Sequence, residues 1–212
     1  MAVVRFRHVY YSPGDDIKSV LDALPNQAQR SLAIEIYGLT DLVLAANVIA
    51  ASNRGVKVRV MNDRSQSAGP ADRKVLQMLV DAGSVNGNIE AKVVESERGA
   101  IDHLKLIVVD PDDGALADTS GVGYGSYNFS DGAQRQDNIY VYTNDPGEVA
   151  QAIEKFEHDW QHNTCKPEWQ VTPTSPAIPT PPTVPATGDA AAVALQTDAV
   201  QAVAPATERP PN

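Results

Sequence analysis

The sequence predicts an α/β domain, a mixed, mostly parallel β-sheet sandwiched between helical layers, followed by a disordered C-terminal tail. Three observations carry that expectation. Strand and helix periodicities alternate along residues 3–161. A strand–helix–strand unit over residues 31–60 has the short connections of a right-handed parallel crossover. Composition then changes at residue 167: residues 167–212 hold ten of the fifteen prolines, one aromatic (Trp169) and much Ala and Thr. Such a segment cannot bury enough apolar surface to offset its ordering entropy. The expected organisation is therefore one domain over residues 1–166 and a Pro/Ala/Thr-rich tail over 167–212, in which residues 190–206 could at most form a weak helix.

Element by element, residues 3–10 alternate as a strand closed by Pro13-Gly14. Ile17, Val20, Leu21 and Leu24 recur at helical spacing within residues 16–29, and residues 31–36 form a strand. Thr40 is placed to cap a helix over 41–53, with Asp41 at its positive end and Gly55 beyond its last turn. Residues 56–60 form a strand with cations on one face, and 63–70 a polar loop at its carboxyl end, where such folds bind ligands. A helix over 72–82 ends at Gly83; strands follow at 91–95, 101–109, 122–127 and 138–143. A closing helix over 148–161 presents Val149, Ile153, Phe156 and Trp160 as its inner stripe.

Net charge is −10, and residues 1–166 carry 16 basic against 23 acidic residues, a net of −7. That disfavours strong non-specific nucleic-acid binding, which needs clustered cations. Arg54, Lys57, Arg59, Arg64, Arg73 and Lys74 do concentrate after the first crossover, and read equally as a solvated helix end or as a binding rim. The single Cys165 permits no internal disulfide and fits a reducing compartment. Arg5 and Arg7 interrupt the N-terminus before any apolar leader, and the apolar run 42–51 is too short to span a bilayer. A soluble, cytoplasmic protein without stable membrane insertion is expected.

The chemistry concentrates in residues 101–110, Ile101-Asp-His-Leu-Lys-Leu-Ile-Val-Val-Asp110. On one strand, His103 and Lys105 would project from the same face about 7 Å apart. An imidazole beside a permanent cation, anchored by the apolar run 104–109, suits attack on a phosphate ester. Asp110 opens the polar turn Asp110-Pro-Asp-Asp-Gly114 and reads as a strand-end anchor more than a substrate contact. Downstream come Gly125-Ser-Tyr-Asn-Phe-Ser130, with Ser126 and Asn128 as polar groups, and Gln136-Asp-Asn-Ile-Tyr-Val141. Tyr37 reads as core more than as pocket lining, and Glu35 either points at the site or forms an ion pair. His158 and His162 read as a polar helix face, and no His, Cys or carboxylate grouping suggests a metal site.

His103-x-Lys105-x4-Asp110 followed by Gly125-Ser126-x-Asn128 resembles the phospholipase D superfamily, in its single-motif, nuclease-like branch. The resemblance covers about residues 30–162, with Ile36-Tyr-Gly-Leu-Thr-Asp41, Ala50-Ala-Ser-Asn-Arg-Gly-Val-Lys-Val-Arg-Val60 and Phe156-Glu-His-Asp-Trp160 as framework segments. It departs in one respect: nuclease-type relatives carry a Glu after the second block that hydrogen-bonds the catalytic His. Here Gln136, Asp137 and Asn138 are the nearest candidates, with Asp137 the possible substitute.

The resemblance implies a phosphodiesterase using two copies of the motif. One motif in this chain therefore implies a homodimer sharing one active site, built from His103, Lys105, Asp110, Ser126, Asn128 and Asp137 of each protomer. One His103 would attack phosphorus and form a phosphohistidine while the other acts as acid and then base. Lys105, Asn128 and Ser126 would hold the non-bridging oxygens, with no metal or other cofactor. Nucleic acid is the first expectation for substrate, because single-motif members of that superfamily resemble small non-specific nucleases; three Phe and two Trp, none clustered, favour it modestly over an interfacial lipid. A phospholipid headgroup hydrolase or transferase is the alternative, and a weakened nucleic-acid-binding or assembly module the third.

Overall fold

The structure, a computed structural model, describes residues 5–113 and 119–174. Positions 3–4 of the first expected strand, Gly114 of the turn after Asp110, and the tail beyond 174 with its weak helix lie outside the described residues.

Among the described residues seven strands form one sheet: β1 (Arg7–Ser12), β2 (Ser31–Ile36), β3 (Lys57–Asp63), β4 (Ile89–Val94), β5 (Lys105–Val109), β6 (Gly121–Gly125) and β7 (Asn138–Thr143). Their order is β1-β7-β6-β5-β2-β3-β4. The sheet is mixed, as the alternating periodicities suggested, but parallel pairing is confined to β2-β3-β4. The other four of the six pairings are antiparallel, which corrects the expectation of a mostly parallel sheet. The reason is connectivity. The helices over Leu42–Asn53 and Pro70–Asn86 cross over between β2, β3 and β4, whereas β5, β6 and β7 follow one another without a long crossover helix and so return antiparallel.

Helices α1 (Ile17–Gln27), α2 (Leu42–Asn53) and α4 (Pro70–Asn86) cover one face of the sheet. Ile17, Leu21 and Leu24 of α1, Leu44 and Val48 of α2, and Val75 and Leu79 of α4 pack on Leu32, Ile34, Ile36, Val58 and Val60. Helix α5 (Pro146–His162) covers the other face, setting Val149 and Phe156 against Ala33, Met61, Leu106, Val108 and Val122. Each such side chain taken fully from water contributes about 1.5–3 kcal/mol. Among the described residues, no helix is long and apolar enough to cross a membrane.

Several ends differ from the periodicity. Asp41, not Thr40, caps α2: its fully buried carboxylate accepts from Val43 and Leu44 N–H at 2.9 and 3.1 Å and also pairs with Lys18. The polar loop after β3 contains a short helix, α3 (Arg64–Ser67), capped by Asp63. Gly83 does not end α4, which runs on to Gly87 in the left-handed region at φ 69°. Gly83 is needed for close approach instead, since a Cβ there would sit 2.4 Å from the Ile89 carbonyl oxygen. Residues 167–174, assigned from composition to the tail, lie along α4 and β4. Gln170 bonds both N–H and C=O of Val93, and Thr174 bonds Asp81.

Candidate active site

The site lies at the edge of the sheet where β2 and β3 end and β5 begins. His103 is exposed and stands two residues before β5, in the turn leading into it rather than on a strand. Pairing nevertheless extends to it, because Tyr37 N–H donates to the Leu104 carbonyl at 2.9 Å. Tyr37, expected in the core, is half-buried and packs on the imidazole, with ring centroids 4.5 Å apart at 58°. The Tyr37 hydroxyl accepts from Gln66 Nε2 at 2.8 Å, which holds that ring in place.

Lys105 opens β5 and is 3 % exposed. Its ammonium donates to the His103 carbonyl at 2.8 Å and lies 4.8 Å from the centre of the Tyr37 ring. Burial pushes Lys105 down to about 8, against the opposing pull of Asp102 and Asp63. A desolvated cation with few fixed partners is well prepared for an anion, since a bound phosphate oxygen replaces the hydration it lacks.

The segment 126–130 reaches the same edge. Phe129 N–H donates to Gly38 O at 3.2 Å, and Thr40 and Asp41 N–H donate to Phe129 O at 2.9 and 3.0 Å. These bonds tie the segment to the residues following Tyr37. Ser126 is exposed; its Oγ donates to Asn138 Oδ1 and accepts from Ile139 N–H, each at 3.1 Å. The Asn128 side-chain oxygen is buried and has no hydrogen-bond partner among the described residues. Of Gln136, Asp137 and Asn138, only Asn138 engages a site side chain, namely Ser126. Asp137 is exposed, and no side chain among the described residues hydrogen-bonds the His103 imidazole.

Asp110 is not brought to the site. It follows β5 at the opposite end from His103, roughly 17 Å from Lys105 by strand rise. Its 0 % exposed carboxylate accepts from the N–H groups of Gln29, Arg30 and Ser31 at 3.0, 2.8 and 3.1 Å, at φ 49°. The basic group after the crossover is divided as well. Arg54 bonds the Pro25 and Ala28 carbonyls and Arg59 pairs with Glu157, whereas Arg64 pairs with Glu95 and Arg73 with the Trp169 and Gln170 carbonyls.

Beside His103 is an open hollow of about 480 Å³, lined by Arg98, Asp102, Lys155, Asp159 and Asn163 among others. Asp102 was not singled out from the sequence, although it adjoins His103. Its own N–H donates to Asp63 Oδ2 at 2.7 Å and its Oδ1 accepts from Leu104 N–H at 3.3 Å, so it brackets the imidazole-bearing residue. Asp159 carried a readable signal too, lying between Phe156 and Trp160 on the inner side of α5.

A family description, cardiolipin synthase, PLD-like domain, matches residues 21–160. The chain belongs to the phospholipase D-like family. The fold of this phospholipase D-like domain is similar to that of a phospholipase D family member, Nuc from Salmonella typhimurium. The two are 21 % identical with a TM-score of 0.64, over 77 % of this chain and 99 % of that one. NucT from Helicobacter pylori is 18 % identical with a TM-score of 0.63, over 77 % and 100 %. TrmBL2, an archaeal chromatin protein whose structure is described as showing a novel mode of DNA binding, is 20 % identical with a TM-score of 0.52, over 77 % and 54 %. A search of curated proteins found no match.

The depressed Lys105 predicts opposite trends with pH. Anion binding needs the ammonium, so kcat/KM should fall as pH rises through about 8. The folded pKa lies below the ordinary 10.5, so the unfolded chain binds the extra proton between the two values. Stability should therefore rise over about pH 8 to 10.5, relative to Lys105→Met, in which that component is absent. Urea melts of both proteins across that range check it.

Proposed function

We propose that this phospholipase D-like domain is a phosphodiesterase acting through a phosphohistidine intermediate. It works as a homodimer sharing one active site, with nucleic-acid backbone as its substrate. The observation that carries this reading is an exposed imidazole and a buried ammonium gathered on one Tyr37 ring, with the imidazole at the mouth of a hollow. One neutral His103 gives its lone pair to phosphorus, and the P–O bond to the leaving group breaks. The partner's His103, protonated, gives its proton to the departing alkoxide. Now neutral, it takes a proton from water, whose oxygen attacks phosphorus and releases His103 with a phosphomonoester. Two protonated imidazoles at close range repel, which favours one proton shared by the pair. Lys105, Ser126 and Asn128 of both protomers hold the non-bridging oxygens; Asp137 and Asp110 take no part in the transfer.

An uncovered apolar strip supports the second copy. Val9, Tyr11 and Ile139 are 36 %, 59 % and 40 % exposed, and Tyr11 pairs directly with Ile139. They occupy the β1–β7 half of the face that α5 leaves open, next to Ser126 and Asn138. The DNA binding described for the chromatin protein favours nucleic acid, as do Arg98 and Lys155 at the hollow. One observation favours phospholipid instead. Leu42, Val43 and Ile101 are 44 %, 52 % and 52 % exposed at the same end as His103, an apolar rim that the sequence alone had not suggested.

The test is side-by-side incubation with plasmid, single-stranded DNA, RNA and mixed phospholipid vesicles, each with excess EDTA. Nucleic-acid cleavage that survives chelation is expected, because the paired Lys105 ammonium groups supply the charge. Headgroup release alone would overturn the substrate, and loss of all cleavage on chelation would overturn the mechanism. Light scattering should report a dimer that Tyr11→Glu converts to an inactive monomer. An active monomer would contradict the shared site.

A further inference from the structure

A carboxylic acid lies in the middle of a fully buried strand. Glu35 of β2 is 0 % exposed, and neither of its side-chain oxygens accepts a hydrogen bond from any described residue. On the α5 face of the sheet its strand neighbours are Met61 and Leu106, in register on β3 and β5. The polar groups that reach it are themselves acids: Asp102 from the turn before β5 and Asp159 from α5. Asp63 at the end of β3 stands behind Asp102, while Lys155 and His158 of α5 engage Asp159 from the other side. Lys105 belongs to the opposite face of the sheet, that of Ile107.

Three packed carboxyl groups cannot all be ionised without a cation among them. Asp102 already accepts from Leu104 N–H and from Asn163 Nδ2 at 3.3 and 3.4 Å, and Asp159 accepts from Lys155. Glu35 has no donor among the described residues, so the proton belongs there. We propose that Glu35 is a neutral positioning residue whose O–H donates into the Asp102–Asp159 pair and thereby holds the turn that carries His103. Burial first, then the charge of Asp102 and the bond to Asp159, push Glu35 up to about 11, so the proton stays through neutral pH. Burial opposes ionisation of Asp159 as well, but the bonds from Glu35, Lys155 and His158 hold it below the usual range.

The effect on the site runs through Asp102. Its backbone N–H is fixed by Asp63 and its carboxylate fixes Leu104 N–H, so the chain just before and just after His103 is held through Asp102. A mobile Asp102 would loosen the imidazole and the Lys105 ammonium bonded to the His103 carbonyl.

The kinetic part rests on His103 being the reactive group; the protonation state does not. Infrared difference spectra of the parent minus Glu35→Gln should show the carbonyl band of a neutral carboxylic acid at pH 9. Its absence would overturn the proposal with no substrate involved. With bis(p-nitrophenyl) phosphate, Glu35→Gln, a permanent donor, should keep kcat within about twofold of the parent. Glu35→Met, of similar volume but with no donor, should lose about tenfold or more in kcat with KM little changed. Parental kcat in a folded Glu35→Met, or a tenfold loss in Glu35→Gln, would also overturn it. If Glu35→Met does not fold, the band and the Gln variant decide.

Discussion

Replacing His103 with Ala should lower hydrolysis of bis(p-nitrophenyl) phosphate by about 10³-fold or more while leaving thermal unfolding near the parental value. The two halves of that expectation have separate causes. His103 is exposed, and no side chain among the described residues hydrogen-bonds its imidazole, so truncation forfeits mainly the contact with the Tyr37 ring. Surface changes of that kind usually stay within about 0.5 kcal/mol. Activity, by contrast, should lose nucleophile and proton donor together, because the proposed mechanism gives both roles to the same residue in two protomers. Subunit mixing gives a sharper measurement. If each pocket needs two imidazoles, a parent–variant heterodimer is dead, and activity falls as the square of the parental fraction. An equal mixture would then retain about a quarter of the parental activity. Retention of about half would show that one protomer suffices, and turnover by His103→Ala itself would remove the mechanism.

Asp110→Ala should do the reverse, costing stability and sparing chemistry. Its carboxylate receives three consecutive backbone N–H groups in a fully buried position. Without it those donors are stranded, and Ala must adopt φ 49°, which a short polar side chain tolerates better. Together these amount to about 3–5 kcal/mol. For a domain of this size that lowers Tm by about 10–15 °C. Asp110→Asn keeps one acceptor and the left-handed preference, so it should lose about half as much. The fraction that remains folded should turn over at the parental rate. A loss of kcat at unchanged Tm would return Asp110 to the active site.

Asp110 also shows how motif and site part company. A fixed spacing in sequence marks residues that the fold requires together, not residues that meet; here a five-residue strand separates the anchor from the reactive end. The strands, the helices and the polar residues at the site edge were legible because apolar periodicity and the motif blocks are local. Pairing direction was not, since antiparallel return of β5 to β7 depends on which neighbours the strands choose. Gly83 looked like a helix end because only the packed structure reveals Ile89 pressing against it. Thr40 and Asp41 are equally good caps on paper, and half-buried Lys18, paired with the buried Asp41 carboxylate, decides between them. Glu35 remained ambiguous because the side chains it meets, Asp102 and Asp159, lie far away in the chain and are themselves acids. Pro167–Trp169 looked like tail because composition does not register a single side-chain amide docking on a strand.

That docking has a consequence for how the molecule avoids its neighbours. β4 is the last strand of the sheet, and its outer backbone groups would otherwise stand open to any passing chain. Thr164 exchanges two backbone bonds with Glu95, and one Gln170 amide then satisfies both polar groups of Val93. The border is sealed by a ribbon that is itself too irregular to be extended by a further strand. A version cut at 166 would strip Gln170 from it, and should be prone to clumping even with its catalytic machinery whole.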